Sequence, residues 1–419
     1  MKLMLSLLAA LALASPARAQ TPDNAELSRK IDILTEEVNR LKQGESAAAV
    51  ESPVRTGLGE SASKVYRTSK GVSIGGYGEM LYQNYANEKD NGSAVTTPDK
   101  IDFLRAVMYF GYRFNEKFLL NTELEFEHAS TGKGGEVSVE FAYIDYLMHP
   151  MLNVRAGILL HPMGLVNELH EPTTFLGARR PDTENAIIPT TWRENGFGLF
   201  GDVGAFSYRT YILNGLNADG FSATGLRNGR QKGAEAKADR FSWVARLDYL
   251  GVEGLIAGVA AYIGQSSYYP STGSGANVPN VDTSIYDVHV DYKLGAWEFR
   301  ALAALAQLDH VPELNAAKSL TGANSVGTRL TGQYAQVGYD VLAGRDSAFI
   351  PFVRWEQLDT QAEVPAGFSR SDANNAKIMT YGFSYKPLDQ IVVKVDYQDY
   401  ERGDGSGVNQ YNALLGYVF

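Results

Sequence analysis

Two adjacent arginines, Arg179 and Arg180, sit in a proline-punctuated stretch, GLVNELHEPTTFLGARRPDTENAIIPTT, over residues 164–191. Each guanidinium offers a planar donor fork that matches the oxygens of a carboxylate or phosphate, so the pair suits anion recognition. The stretch also carries Phe175, Leu176, Ile187 and Ile188. A solvated surface loop has no need of such side chains, so the loop is expected to pack against a wall and bring both arginines to a constriction. The alternative is that they only pair with Asp182 and Glu184 of the same loop. Glu168, His170 and Glu171, with His161 upstream, are metal-ligating types, but they lack a helical i, i+4 histidine pair and any cysteine. The six scattered histidines define no Ser–His pair with an orienting partner. No catalytic constellation, metal site or cofactor site is read from the chain, which points away from an enzyme.

Composition narrows the elements that position these residues. The 419 residues include 42 glycines, 24 tyrosines, 15 prolines and no cysteine, which excludes disulfide scaffolds and thiol chemistry. A formal charge of −10 argues against nucleic acid as a partner. After residue 20 no window is apolar enough for a helical membrane span.

The N-terminus reads as an address. Lys2, the apolar run Leu3 to Ala14 and the A-x-A site at 17–19 form a secretory signal over 1–19. Thr21-Pro22 then caps a helix, and Leu27, Ile31, Leu34, Val38 and Leu41 repeat at spacings of four and three. Residues 20–43 are therefore expected to form a coiled coil; an amphipathic helix docked on the protein's own body is the alternative. Residues 44–70 are small, polar and aperiodic, and read as a flexible linker.

From residue 71 onward the pattern has period two. Met108, Phe110 and Tyr112 alternate with Val107, Tyr109 and Gly111, and Val393 and Val395 alternate with Lys394 and Asp396. Seven short connections alternate with eight long ones, which separates sixteen strands. That asymmetry, with an apolar outer face, fits an all-β, 16-stranded antiparallel transmembrane β-barrel over 71–419. The last strand places Tyr411, Leu415, Tyr417 and the terminal Phe419 on one face, which resembles the C-terminal signal of bacterial outer-membrane proteins. Parity points Arg105, Arg113, Arg155, Arg209, Arg246, Arg300, Arg354, Lys293 and Lys394 into the lumen. Glu123, Glu125, Glu127, Asp248, Asp287, Asp291, Asp340 and Asp396 point there too. With both signs present, position decides selectivity. The loop 214–240 is basic, through Arg227, Arg230, Lys232, Lys237 and Arg240. It either attracts anions or lipopolysaccharide phosphates, or is a solvated face.

The order GxxxxP-M-G from Gly157 to Gly164, the RRP at 179–181 and the P-x-TWREN-G-x-G from Pro189 to Gly198 resemble phosphate-selective porins O and P. The preceding coiled coil is similar to that of dicarboxylate-type trimeric porins. The resemblance implies a homotrimer of anion-selective barrels with an inward-folded third loop, and it adds Arg193 to Arg179 and Arg180. The expected constriction set is thus Arg179, Arg180 and Arg193, with the wall arginines Arg105, Arg155 and Arg246. The expected role is passive, anion-preferring diffusion of small solutes, phosphate or organic anions such as dicarboxylates, across the bacterial outer membrane. Outer-membrane lipid and lipopolysaccharide would surround the barrel, with the coiled coil in the periplasm. The rival reading is an envelope tether with an incidental pore.

Overall fold

The computed structural model describes residues 57–132, 134–269 and 280–419. The signal segment, the coiled coil and the first part of the linker lie outside the described residues. The strands are β1 (Gly71–Tyr85), β2 (Lys100–Arg113), β3 (Phe118–Glu127), β4 (Val137–His149), β5 (Leu152–Leu160), β6 (Arg193–Val203), β7 (Phe206–Asn214) and β8 (Phe241–Tyr249). They continue as β9 (Leu255–Ser266), β10 (Val281–Leu294), β11 (Trp297–Leu308), β12 (Arg329–Tyr339), β13 (Ala348–Glu363), β14 (Asn375–Leu388), β15 (Ile391–Arg402) and β16 (Gln410–Val418). Each pairs antiparallel with its sequence neighbours, and β1 pairs with β16 to close the barrel. Closure removes the unpaired edges that an open sheet would expose. Short turns gather at one end and long loops at the other, as the spacing of the sequence implies.

The two faces follow the alternation. Met108, Phe110, Tyr286, Val288 and Val393 are exposed on the outside, and Tyr411, Leu415, Tyr417 and Phe419 form an outward stripe on β16 and just beyond it. Val392, Lys394, Asp396 and Gln398 are buried within. A register shift between Glu123 and Leu124 makes Glu140 an extra residue on β4, so that Glu140 and Phe141 both turn inward. Two lumen assignments need correction. Lys293 lies at the rim, 59% exposed and paired with Glu298, and Asp340 sits in the β12–β13 turn, accepting from the Leu342 and Phe349 N–H groups. Both fall at strand ends, where parity no longer fixes direction.

The linker also needs correction. Residues 57–70 are packed inside the barrel, with a single helical turn α1 (Lys64–Arg67). Leu58, Ala62 and Val65 are buried in the main apolar cluster with Tyr77, Tyr109, Leu119 and Tyr143. Three apolar residues spaced four and three apart make too faint a period to read alone. The seat they need comes from β1 to β5, far ahead in sequence.

Gly157 marks a place where the chain admits no side chain. Its φ is +145°, and a Cβ there would stand 2.2 Å from the Ala142 carbonyl oxygen. Gly157→Ala is expected to destabilise the barrel by about 1–3 kcal/mol. The measurement is the temperature at which the folded band of the purified protein shifts in a semi-native gel; an unchanged midpoint would show that β4 and β5 can yield.

Candidate functional site

The loop between β5 and β6, residues 161–192, folds into the lumen. Phe175, Leu176, Ile187, Ile188 and Trp192 are all buried, and a short helix α2 (Asp182–Ala186) crosses toward β12 and β13. Irregular backbone cannot satisfy its own carbonyls, so a buried loop needs outside donors. Wall cations supply them. Arg300 Nη2 donates to the Thr174 carbonyl at 3.0 Å, and Lys386 Nζ to Thr173 at 2.9 Å. Lys394 Nζ donates to Phe175 and Gly177 at 2.5 and 3.1 Å and lies 3.6 Å from the centre of the Phe175 ring. Arg354 reaches the Arg179 carbonyl, and Arg246 the Gly164 carbonyl. Wall carboxylates hold the loop's N–H groups: Asp287 takes Gly164, Asp396 takes Ala178 and Glu356 takes Thr183.

The carboxylates of the loop go separate ways. Glu168 pairs with Arg209 at 3.2 Å, and His170 Nε2 meets Glu123 at 3.1 Å. Glu184 accepts from Tyr334, Leu165 and Val166. Glu171 accepts the Ser61 and Ala62 N–H groups at 3.1 and 3.0 Å. Glu168, His170 and Glu171 therefore do not converge on a common point.

The six arginines expected at the constriction divide by their partners. Arg155 is buried against Asp145 at 2.8 Å and donates to the Tyr66 hydroxyl at 2.7 Å. Arg193 is buried against Glu140 at 2.8 Å and also donates to the Val139 carbonyl. Arg246 is buried between Asp248 at 2.8 Å and Glu168 at 3.7 Å. These three are clamps. Arg105 has looser partners, Glu125 at 3.3 Å and Glu79 at 3.7 Å, and keeps some exposure. Arg179 is a third exposed; it meets Asp182 at 3.4 Å and Gln398 at 3.2 Å. It lines a recess of about 240 Å³ with Tyr400, Arg402, Thr360 and Asn374. Arg180 is half-buried and donates to the His170 carbonyl. The in-loop pairing weighed above thus holds for Arg179 with Asp182, while Glu184 is engaged elsewhere.

The loop between β7 and β8, residues 215–240, brings two further arginines. Leu216, Phe221 and Leu226 are buried and draw this loop over the lumen, where Arg230 donates to the Thr191 carbonyl. Burial, reinforced by Arg230, Arg180 and Arg105 nearby, pushes the Arg227 pKa down to about 9. Burial and Arg193 bring Arg230 down to about 10. Arg105, Arg180, Arg227 and Arg230 thus form a group in which like charges repel. The basic composition of 214–240 was visible in sequence; the fold that turns Arg227 and Arg230 toward Arg180 was not.

Burial pushes the Glu171 carboxyl up to about 7, against the pull of the Ala62 and Ser61 N–H groups and His170, with Glu123 adding to the rise. A folded-state pKa above the ordinary carboxyl value means that the folded state binds the proton more tightly. Glu171's contribution to stability is then full below about 4.5 and is lost as pH rises through about 7. Across that window the heat-shift midpoint of the wild type should fall relative to that of Glu171→Gln. Parallel pH profiles for the two proteins would show that Glu171 does not titrate there.

No family model matches the chain. Solved structures share its fold at low identity. OmpF of Salmonella typhi, in complex with daunomycin, superposes with a TM-score of 0.54 at 14% identity, covering 85% of this chain and 99% of that one. The outer membrane channel DcaP of Acinetobacter baumannii gives 0.51 at 13%, covering 83% and 97%. OmpT of Vibrio cholerae gives 0.52 at 11%, covering 84% and 98%. These likenesses are likenesses of barrel architecture. A protein of Aquifex aeolicus (strain VF5), described as uncharacterized, is 37% identical over 376 residues, covering 87% of this chain and 83% of the relative, and the chain belongs to one family with it.

Proposed function

We propose that the protein is an outer-membrane channel for passive diffusion of small solutes, with a preference for anions such as phosphate or small organic carboxylates. The observation that carries the reading is the group of Arg105, Arg180, Arg227 and Arg230, together with Arg179 lining its recess. An anion entering between guanidiniums relieves their mutual repulsion, whereas a cation adds to it. The exposed apolar outer face supports placement in a lipid bilayer, with outer-membrane lipid and lipopolysaccharide around it. The long-loop end then faces outward and the short-turn end faces the periplasm, where the signal and coiled-coil readings place the N-terminus. The folds shared with DcaP, described as an outer membrane channel, and with OmpT, described in a trimer form, support a channel and a homotrimer.

Reversal potential in a salt gradient tests the selectivity. The double variant Arg179→Glu/Arg180→Glu should insert normally and shift permeability toward cations. An unchanged reversal potential would move the filter to Arg105, Arg227 and Arg230. Arg246→Glu behaves differently: it leaves buried Asp248 and Glu168 with Arg209 alone and adds a third carboxylate beside them, and breaking such a buried pair costs about 3–5 kcal/mol. Its main effect should be a lower heat-shift midpoint. For assembly, deletion of 21–43 should leave trimers of reduced thermal stability and near-normal conductance; monomers in mild detergent would make the coil the assembly element.

A further inference from the structure

The lumen is divided by what fills it. The folded loop is tied to β7, β8 and β10 through β15 by many bonds and to β3 through His170 and Glu123, and along β1 to β5 Arg105 and Arg180 keep partial exposure. Toward the short-turn end, that same sector is covered by residues 57–70. Ala62 O accepts from Asn121 of β3 at 2.9 Å, and Tyr66 O accepts from Arg113 of β2 at 3.3 Å. The Tyr66 hydroxyl donates to Asp145 of β4 at 2.6 Å.

We propose that residues 57–70 are an inner gate of the channel, seated on Glu171 of the folded loop and displaced when the pore is fully open. The proposal rests on the channel reading and extends it to regulation. Three features separate a gate from a permanent lining. The segment contributes no strand to the sheet and joins it covalently at β1, so it can swing out without breaking the strand pairing of the barrel. Its hydrogen bonds to the folded loop are held by Glu171, which takes two successive N–H groups, while Gly59 and Gly57 pack so close to Glu171 and Glu168 that a Cβ would stand 2.3 Å from the Glu171 Cδ and 2.4 Å from the Glu168 Oε1. Its seat on the wall adds to the small apolar contact of Leu58, Ala62 and Val65 a set of polar groups that water can replace, namely Asn121, Asp145, Arg113 and Arg155. The charged and titratable groups around Glu171 are His170 of its own loop, Glu123 of β3 and Tyr109 of β2. Glu60 of the segment is exposed.

A disulfide lock tests the gate in the full-length protein. The chain has no cysteine, and a Cβ on Gly75 would stand 2.4 Å from Ser61 Oγ, so Ser61→Cys/Gly75→Cys carries the only two thiols. In planar bilayers the oxidised protein should be confined to a low-conductance state, and dithiothreitol should restore a state at least about twofold higher. Unlatching by Tyr66→Phe/Glu171→Ala should raise the time spent in the higher state several-fold, roughly threefold or more. If oxidised and reduced proteins conduct alike and unlatching changes nothing, the segment is a fixed lining and the gate is overturned, while the channel stands. If heat-modifiable barrels insert but no variant conducts, the channel reading fails and takes the gate with it.

Discussion

A loop of irregular backbone buried inside a closed barrel must find a donor for each carbonyl and an acceptor for each N–H, and the rest of the lumen depends on that requirement. The wall meets it with charge. Arg246, Arg300, Arg354, Lys386 and Lys394 each donate to a loop carbonyl, and Asp287, Glu356 and Asp396 each accept a loop N–H. Charged donors and acceptors make stronger hydrogen bonds than neutral ones, which suits a loop with only one short helix of its own. The mixture of signs along the wall is therefore what a loop presenting both kinds of backbone group demands.

This use of charge decides which wall cations are neutralised by a neighbouring carboxylate. An arginine held by a carboxylate at 2.8 Å, as Arg155, Arg193 and Arg246 are, adds little net field to the passage. Other cations have cations for neighbours. Arg227 is the clearest, since its main electrostatic neighbours are Arg230, Arg180 and Arg105. The local field inside the barrel is thus set by position, and the chain's overall charge of −10 does not describe it.

The barrel was legible because period two is a local signal. Every connection between strands could be placed from alternation and turn residues, and the apolar content of 164–191 announced a loop that would be buried. The division of the arginines was not legible. Arg105 and Arg155 share an inward parity, yet one faces carboxylates at 3.3 and 3.7 Å and the other is closed off by Asp145 and Tyr66. Tyr66 lies in a stretch that reads as linker, so nothing near Arg155 in sequence foretells its partner. Glu140 was hidden for another reason: the bulge that turns it inward beside Phe141 changes the parity of the strand itself.

The segment 57–70 shows why such partners escape a local reading. Ser61 donates through its hydroxyl to the carbonyl of Phe419, the last residue of the chain, and accepts from the Gly76 N–H. Glu171, Asn121 and Asp145 bring the middle of the sequence to the same place. The Phe419 and Glu171 parts of this seat exist only once the chain end lies beside β1 and the long loop has folded inward. Before closure the segment has three small apolar residues and no surface to cover, which is what a linker looks like. After closure it meets a complete set of donors, acceptors and a greasy floor of Tyr77, Tyr109 and Leu119. Its order is thus conditional on a wall and a folded loop that residues 57–70 do not themselves encode, which is why a local reading sees a linker where the barrel makes a packed element.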